Sequence, residues 1–131
     1  RNRLIVEQNG VLKIKIGLIY FDLDKAEIRY DASIELNKVV FLLQEYPDMI
    51  IKIESHTDSR SDDDYNLELS DRRAKATRNY IISQGISEKR IESATGYGES
   101  MLVNKCENGV KCSNREHDTN RRSEFIITQM Y

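Results

Sequence analysis

The feature that most constrains the fold is a change in the spacing of apolar residues along the chain. From Leu12 to Phe21 they fall at every second position, which is typical of a strand with one buried face. Over residues 31–46 the spacing becomes that of an amphipathic helix, with Asp31 as a suitable N-cap and Pro47 as a suitable stop. The apolar positions of this helix are Leu36, Val39, Val40 and Leu43.

The same change of spacing occurs a second time. The β-branched run from Met49 to Ser55 predicts a second strand. A second helix is predicted over residues 67–84, with Asn66 as its N-cap and Gly85 as its C-terminal stop. Two further strands are predicted, at Arg90–Thr95 and Arg122–Thr128.

The resulting order β-α-β-α-β-β predicts the α/β class, built as a two-layer α+β sandwich with the helices on one face of the sheet. A right-handed crossover would make the first and second strands parallel. Residues 1–12 show only a weak pattern, and we predict no element there. The 131 residues are the size of one ordinary domain, so we expect residues 1–131 to form a single domain.

Composition excludes several classes of protein. Hydrophobic residues make up 39% and charged residues 32%, which is typical of a folded domain. No stretch approaches the roughly 20 apolar residues of a membrane span, so we expect no transmembrane helix. The net charge of −2 argues against nucleic acid as a partner. No signal peptide is visible, so we expect a cytoplasmic protein or a piece of a longer precursor.

The two cysteines, Cys106 and Cys112, lie in a polar stretch with Gly109 between them. A pair this close can form a disulfide, which would place the protein in an oxidising compartment. A metal site is less favoured, because a second ligand pair is absent. The spacing alone leaves two free thiols open as the alternative.

Polar residues follow the predicted second strand. His56 and Asp58 are two residues apart and would point the same way in extended backbone. The end of a buried strand often holds a ligand, although Asp58 could instead cap loop N–H groups. A zinc site made by these two residues is the weaker alternative.

Arg73 is predicted near the edge of the buried face of the second helix. A guanidinium at such a position suits a carboxylate held in a two-pronged arrangement. The alternative is a surface arginine whose stem covers apolar area. The chain lacks the nucleophile, metalloprotease and phosphate-loop motifs and has no convincing acid–base pair, so we predict a protein that is not an enzyme and needs no cofactor.

Five motifs together resemble those of the OmpA-like C-terminal domain. This is the peptidoglycan-binding module of outer-membrane proteins, peptidoglycan-associated lipoproteins and flagellar stator proteins. The motifs are IYFDLD at 19–24, SHTDSR at 55–60, YNLELSDRRA at 65–74, GYGE at 96–99 and NRRSEF at 120–125. The resemblance covers about residues 16–128 and implies a mixed sheet in the C-terminal part of a longer envelope protein.

The resemblance also implies a function without catalysis. The domain would bind the stem peptide of peptidoglycan non-covalently, commonly at meso-diaminopimelate, and would anchor an outer-membrane protein to the cell wall on the periplasmic face of the outer membrane. Asp58 and Arg73 match the family residues that hold the charged groups of diaminopimelate, and we expect them to pair with each other in the empty site. The other implied site residues are Asp22, Asp24, Thr57, Asn66, Leu69 and Arg121.

The chain departs from the family pattern at three places. Ser55 and Ser61 replace glycines on either side of the HTDSR motif, and the segment between Gly98 and Asn120, which carries the cysteines, is longer than in many members. An alternative function is assembly of a larger envelope complex, such as a stator or secretion machine, through the same domain. An enzyme acting on peptidoglycan is the least favoured reading.

Overall fold

The computed structural model describes residues 2–131, in which strands and helices alternate. The strands are β1 (Ile5–Gln8), β2 (Val11–Ile14), β3 (Ile50–His56), β4 (Ile91–Gly98) and β5 (Arg122–Gln129). The helices are α1 (Tyr30–Glu45), α2 (Asp63–Ser83) and α3 (Asn114–Asp118), with a 3-10 turn at Glu88–Arg90. The strands form one mixed sheet in the order β1-β2-β5-β3-β4, which confirms the predicted α/β class.

The first part of the sheet differs from the sequence prediction. Strands β1 and β2 form a hairpin through Asn9 and Gly10, which both have positive φ angles, 52° and 79°. No element was predicted before Leu12, so β1 was missed. The single strand predicted from Leu12 to Phe21 is confirmed only at its start, as β2, and its length is wrong, because pairing with β5 ends at Ile14 and residues 15–29 form a loop.

The order of the strands fixes their relative directions. Strand β5 lies between β2 and β3 and is antiparallel to both. Strands β2 and β3 are therefore parallel to each other, as predicted, although they are not neighbours. Strands β3 and β4 are neighbours and parallel, and the chain between them contains α2. This arrangement places the polar segment after β3 next to the start of α2.

The core lies between one face of the sheet and helices α1 and α2. Ile51 and Ile53 of β3 are buried there beside their register partners Ile127 and Phe125 of β5. The helices contribute Leu36, Val39, Leu42 and Leu43 from α1, and Ala74 and Ile81 from α2. The other face of the sheet carries ion pairs such as that between Lys13 and Glu124.

Both long helices begin earlier than predicted. Helix α1 begins at Tyr30 with Arg29 as its N-cap, so Asp31 lies in the first turn and is not the cap. Helix α2 begins at Asp63 with Asp62 at the N-cap position, so the prediction of Asn66 as N-cap is wrong. The predicted C-terminal stops agree with the structure, since Gly85 adopts a φ of 97° just after α2.

Helix α2 lies unusually close to the edge strand β4. A Cβ atom on Gly96 would come within 2.0 Å of the backbone nitrogen of Asp71, so only glycine permits this approach. The carboxylate of Asp71 accepts a hydrogen bond from the N–H of Gly96 at 3.1 Å, and Lys75 donates to the carbonyl of Ala94. These bonds close the edge of β4 and fix the helix that carries Arg73. No helix in the described residues is both long and apolar enough to span a membrane.

Candidate functional site

A cavity of about 500 Å³ lies beside the end of β3. Its walls come from residues 18–24, 55–61, 65–73 and 118–123, four segments that are far apart in the sequence. The predicted site residues that line this cavity are Asp24, Thr57, Asp58, Asn66, Leu69, Arg73 and Arg121. Asp22 is not among the lining residues, and its carboxylate pairs instead with Arg29 at 3.3 Å.

Asp58 follows β3 and is only 5% exposed. Its Oδ1 accepts a hydrogen bond from the backbone N–H of Arg60 at 2.8 Å, and its Oδ2 accepts one from the Arg60 guanidinium at 2.8 Å. The Nε atom of Arg121 lies 3.6 Å from the same Oδ2. Burial acts to raise the pKa of Asp58, but the bonds and charge of Arg60 outweigh burial and hold that pKa below its ordinary value.

The expectation that Asp58 pairs with Arg73 in the empty site is wrong. The partner of Asp58 is Arg60, which the sequence analysis did not include among the site residues. Arg60 belongs to the HTDSR motif, and its position two residues after Asp58 is the only signal that could have indicated the pairing.

Arg73 lies on α2 and enters the same cavity from the helix side. Its Nε atom donates to the carbonyl of Lys25 at 2.9 Å, and a terminal nitrogen donates to the carbonyl of Asp22 at 3.3 Å. Its guanidinium carbon lies 4.7 Å from the ring centre of Phe21, which is cation–π geometry. Within residues 2–131 no carboxylate forms an ion pair with Arg73, and burial is the main cause that lowers its pKa.

Asn66 organises the loop that carries Asp58. Its side chain is 4% exposed, and its Nδ2 atom lies within hydrogen-bonding distance of the carbonyls of Asp58 (3.3 Å), Arg60 (3.1 Å) and Ser61 (3.4 Å). We call residues 58–61 the binding loop. Because its side-chain amide donates to the carbonyls of this loop, Asn66 stabilises the conformation of the binding loop.

The remaining predicted residues form the rim and floor of the cavity. Asp24 is on the rim, where its carboxylate accepts a hydrogen bond from the hydroxyl of Tyr65. Thr57 is buried, and its N–H donates to the carbonyl of Gly98 at 2.8 Å, which continues the pairing of β3 with β4. Leu69 is a buried apolar residue of α2, and Arg121 forms an ion pair with Asp118.

His56 is the buried last residue of β3. Its ring stacks on Tyr97 with the ring centres 5.5 Å apart. Its Nε2 lies 3.4 Å from Oε2 of Glu124, but neither ring nitrogen makes a hydrogen bond to the described residues. Burial, reinforced by the charge of Arg122, lowers the pKa of His56 to about 4, so the imidazole is neutral at pH 7.

Cys106 and Cys112 form a disulfide, which confirms that prediction. The bond closes a short segment, Cys106–Cys112, directly before α3. The hydroxyl of Ser59 in the binding loop donates to the carbonyl of Cys106. The disulfide therefore lies in contact with the candidate site.

Together these groups define what the cavity can bind. A carboxylate that keeps free lone pairs can accept an ammonium, and a guanidinium without an acidic partner can bind a carboxylate. The cavity therefore suits a ligand that carries both an ammonium and a carboxylate. The fold and the site define a small mixed α/β ligand-binding module.

Comparison with known proteins places the module in a family. The model of the OmpA family matches residues 20–116. The chain is 43% identical over 89 residues to the peptidoglycan-associated lipoprotein of Brucella melitensis, covering 68% of this chain and 52% of the relative. The chain belongs to the OmpA family, and it spans about half the length of the curated relatives it matches.

Solved structures with the same fold agree with this assignment. The peptidoglycan-associated lipoprotein of Burkholderia pseudomallei has a TM-score of 0.70 at 25% identity, covering 84% of this chain and 88% of that chain. A MotB-like protein from Desulfovibrio vulgaris has a TM-score of 0.76 at 25% identity, covering 94% of this chain and 76% of that chain. The predicted resemblance to the OmpA-like domain is thus confirmed.

Proposed function

We propose that this chain is the peptidoglycan-binding part of a longer cell-envelope protein, with residues 1–131 acting as one domain. We further propose that its cavity binds the diaminopimelate of the stem peptide. The observation that carries the proposal is Arg73, a half-buried guanidinium with no acidic partner within residues 2–131, in the same cavity as the carboxylate of Asp58. The names of the relatives, which are peptidoglycan-associated lipoproteins, support peptidoglycan as the polymer that is bound.

The chemistry of diaminopimelate fits this pair of charges. Its free end presents an ammonium and a carboxylate on one carbon. Asp58 accepts the ammonium, and Arg73 binds the carboxylate with the donors that its carbonyl partners leave free. No step of this recognition breaks a covalent bond, so the protein acts by binding and not by catalysis.

The proposed location follows from the ligand. A domain that binds peptidoglycan and belongs to a longer protein can anchor that protein, or the outer membrane itself, to the cell wall from the periplasmic face. The disulfide supports this location, because such bonds persist in oxidising compartments like the periplasm. Attachment to the membrane would come from parts of the protein outside this chain.

The first test is a pull-down on purified peptidoglycan sacculi. Arg73→Ala should lose binding by about 100-fold, because a desolvated, two-pronged ion pair to the ligand disappears. The matched control is Arg72→Ala, since Arg72 is the adjacent residue on α2 but is exposed and pairs with Glu68 at 2.8 Å. Both variants should melt close to the wild type. Equal binding by the two variants would contradict the assignment of Arg73.

A second arm tests the ligand itself. Soluble stem tripeptides with diaminopimelate or lysine at the third position differ by one carboxylate on the side chain. The diaminopimelate peptide should compete for the protein, and the lysine peptide should compete much less, because only the first offers a carboxylate to Arg73. Failure of the wild type to bind sacculi of either type would favour the alternative role in assembly of an envelope complex.

A further inference from the structure

We propose that Arg60 is a positioning residue for the site, and that the disulfide segment Cys106–Cys112, together with α3, holds Arg60 in place so that ligand affinity depends on the disulfide. The inference rests on the proposed function of the cavity. It adds a segment to the site that lies between 45 and 57 residues after the end of the binding loop in the sequence.

Arg60 connects the two parts of the molecule. On one side, its backbone N–H and its guanidinium both bind the carboxylate of Asp58 at 2.8 Å. On the other side, its second terminal nitrogen donates to Oδ1 of Asn114 at 3.1 Å, and the first lies 4.0 Å from Asp118. Asn114 and Asp118 are the first and last residues of α3. The orientation of the Asp58 carboxylate therefore depends on where α3 lies.

The disulfide fixes the start of α3. Cys112 directly precedes Ser113, the N-cap residue, whose hydroxyl accepts from the N–H of Glu116 while Glu116 accepts from the N–H of Ser113. Cys106, at the other end of the bond, is wholly buried, and its carbonyl accepts the hydroxyl proton of Ser59. Both ends of the segment are thus tied to the binding loop, one through Ser59 and the other through Arg60.

Other bonds hold this region when the disulfide is open. Asn104 donates to the carbonyl of Glu116 and to the hydroxyl of Thr119, each at 2.8 Å. The wholly buried Asn120 accepts from the N–H of Val103 at 2.7 Å. Opening the disulfide should therefore loosen α3 and Arg60 without unfolding the protein.

The physical reason is the entropy of a long side chain. An arginine loses much rotamer freedom when it is held in one geometry, and that loss opposes its pairing with Asp58. The hydrogen bond that Arg60 donates to Asn114 restricts the same rotamers before the ligand arrives. With this restriction removed, Arg60 pairs with Asp58 less of the time, and the carboxylate presents the right geometry to an ammonium less often.

The experiment measures sacculus affinity and thermal melts for three variants. Arg60→Gln should weaken binding about tenfold, as the loss of a charged hydrogen bond does. The double variant Cys106→Ala with Cys112→Ala should weaken binding about fivefold, and the triple variant no more than Arg60→Gln alone, because both changes act through one contact. The control is Lys111→Ala, an exposed residue inside the disulfide segment, which should bind like the wild type.

A ligand-free readout separates this inference from the proposed function. Burial alone would raise the pKa of Asp58, and Arg60 opposes that effect. Carboxyl NMR titration should show the pKa of Asp58 rising in Arg60→Gln and, by a smaller amount, after the disulfide is opened. If the wild type fails to bind sacculi, the proposed function fails while this titration still tests the contact.

Two outcomes would overturn the inference. One is an unchanged titration of Asp58 after the disulfide is opened, and the other is a triple variant whose loss equals the product of the separate losses. If the cysteine variant does not fold, Asn114→Ala replaces it, because that change removes the hold of α3 on Arg60 and leaves the disulfide intact. Asn114→Ala with wild-type affinity and an unchanged Asp58 titration would equally contradict the inference.

Discussion

The two charged sides of the cavity are built in opposite ways. Asp58 has its charge balanced inside the protein, by two hydrogen bonds from Arg60 and the nearby charge of Arg121. Within residues 2–131, Arg73 donates hydrogen bonds only to carbonyls and contacts the face of Phe21, and the charge of Asp24 acts on it without forming an ion pair. Asp58 therefore has cationic partners in the absence of a ligand, whereas Arg73 has no paired carboxylate within the described residues.

This difference indicates how the work of recognition is divided. A carboxylate that the fold already orients can receive an ammonium without rearrangement, so the Asp58 side sets the geometry of the bound ligand. A partly desolvated guanidinium without a counter-ion is stabilised strongly by an incoming carboxylate, so the Arg73 side contributes more of the binding free energy. Substitutions on the Asp58 side should therefore affect both folding and binding, and substitutions at Arg73 should affect binding.

The largest expected effect tests this division directly. Asp58→Ala should abolish detectable sacculus binding and also lower the free energy of unfolding by about 2 kcal/mol, because Arg60 loses its acceptor; the cost stays below that of a fully buried pair since Arg60 is partly exposed. Arg73→Ala should lower it by about 1 kcal/mol, the value of a cation–π contact that is only partly desolvated. Urea denaturation of both variants measures the difference.

A conservative variant serves as the control for this comparison. Asp58→Asn keeps one oxygen that can accept from the N–H of Arg60. It should recover part of the stability that Asp58→Ala loses, but not the binding of an ammonium. The comparison fails if Asp58→Ala is as stable as the wild type, or if Arg73→Ala is the less stable of the two.

A second effect should appear with pH, and it originates at His56, the last residue of the strand that precedes Asp58. Burial lowers the pKa of His56 to about 4, whereas a histidine in an unfolded chain titrates near ~6.5. Between these values the unfolded chain binds more protons, so the free energy of unfolding falls as pH decreases. The loss attributable to His56 is about 2 kcal/mol between about pH 7 and about pH 5.

The variant His56→Phe removes this titration and keeps a ring against Tyr97. Its free energy of unfolding, relative to the wild type, should therefore improve by about 2 kcal/mol over the same decrease in pH. Glu99 acts in the opposite direction, because burial and the neighbouring Asp63 raise its pKa to about 7. Since the wild type and His56→Phe both contain Glu99, its contribution cancels in the difference between their free energies of unfolding. A difference that does not change with pH would show that His56 is not buried in its neutral form.

The fold could be predicted where local spacing decides the structure. The helical spacing identified α1 and α2, and the β-branched run identified β3. The alternation from Leu12 to Phe21 misled because a strand needs a neighbouring strand for its backbone, and strand pairing ends at Ile14. Beyond that point the pattern does not even report burial, since Leu18 and Tyr20 are exposed. The hairpin could have been predicted, since Asn9-Gly10 is a strong signal for a two-residue turn.

The site was predictable as a set of residues but not as a network. Motif resemblance identified residues that line one cavity, because the fold brings four of the five motifs to its walls; GYGE at 96–99 is the exception. The pairing of Asp58 with Arg60 depends on how the binding loop turns, and the contact of Arg60 with Asn114 joins residues 54 apart. The two-residue spacing was the only signal for the first contact, and no local spacing encodes the second.

The smallest expected effect concerns the turn of the binding loop itself. Ser61 has a φ of 82°, in the left-handed region where a side chain costs about 1–2 kcal/mol. A glycine avoids this cost but loses more freedom on folding, so Ser61→Gly should raise the free energy of unfolding by about 0.5 kcal/mol. Its carbonyl, which glycine keeps, still accepts from Asn66, so binding should not change.

Ser59, two residues before Ser61, provides the control for this last prediction. Ser59 does not have a positive φ, and its hydroxyl donates to the carbonyl of Cys106. Ser59→Gly should therefore lower the free energy of unfolding, in contrast to Ser61→Gly two residues later. If both variants were destabilised equally, the backbone at Ser61 would not be under strain, and the glycine usual at this position in the family would need another explanation. If Ser61→Gly raises the free energy of unfolding and Ser59→Gly lowers it, this chain tolerates a strained turn close to Asp58. That is the side of the cavity on which we expect substitutions to affect both folding and binding.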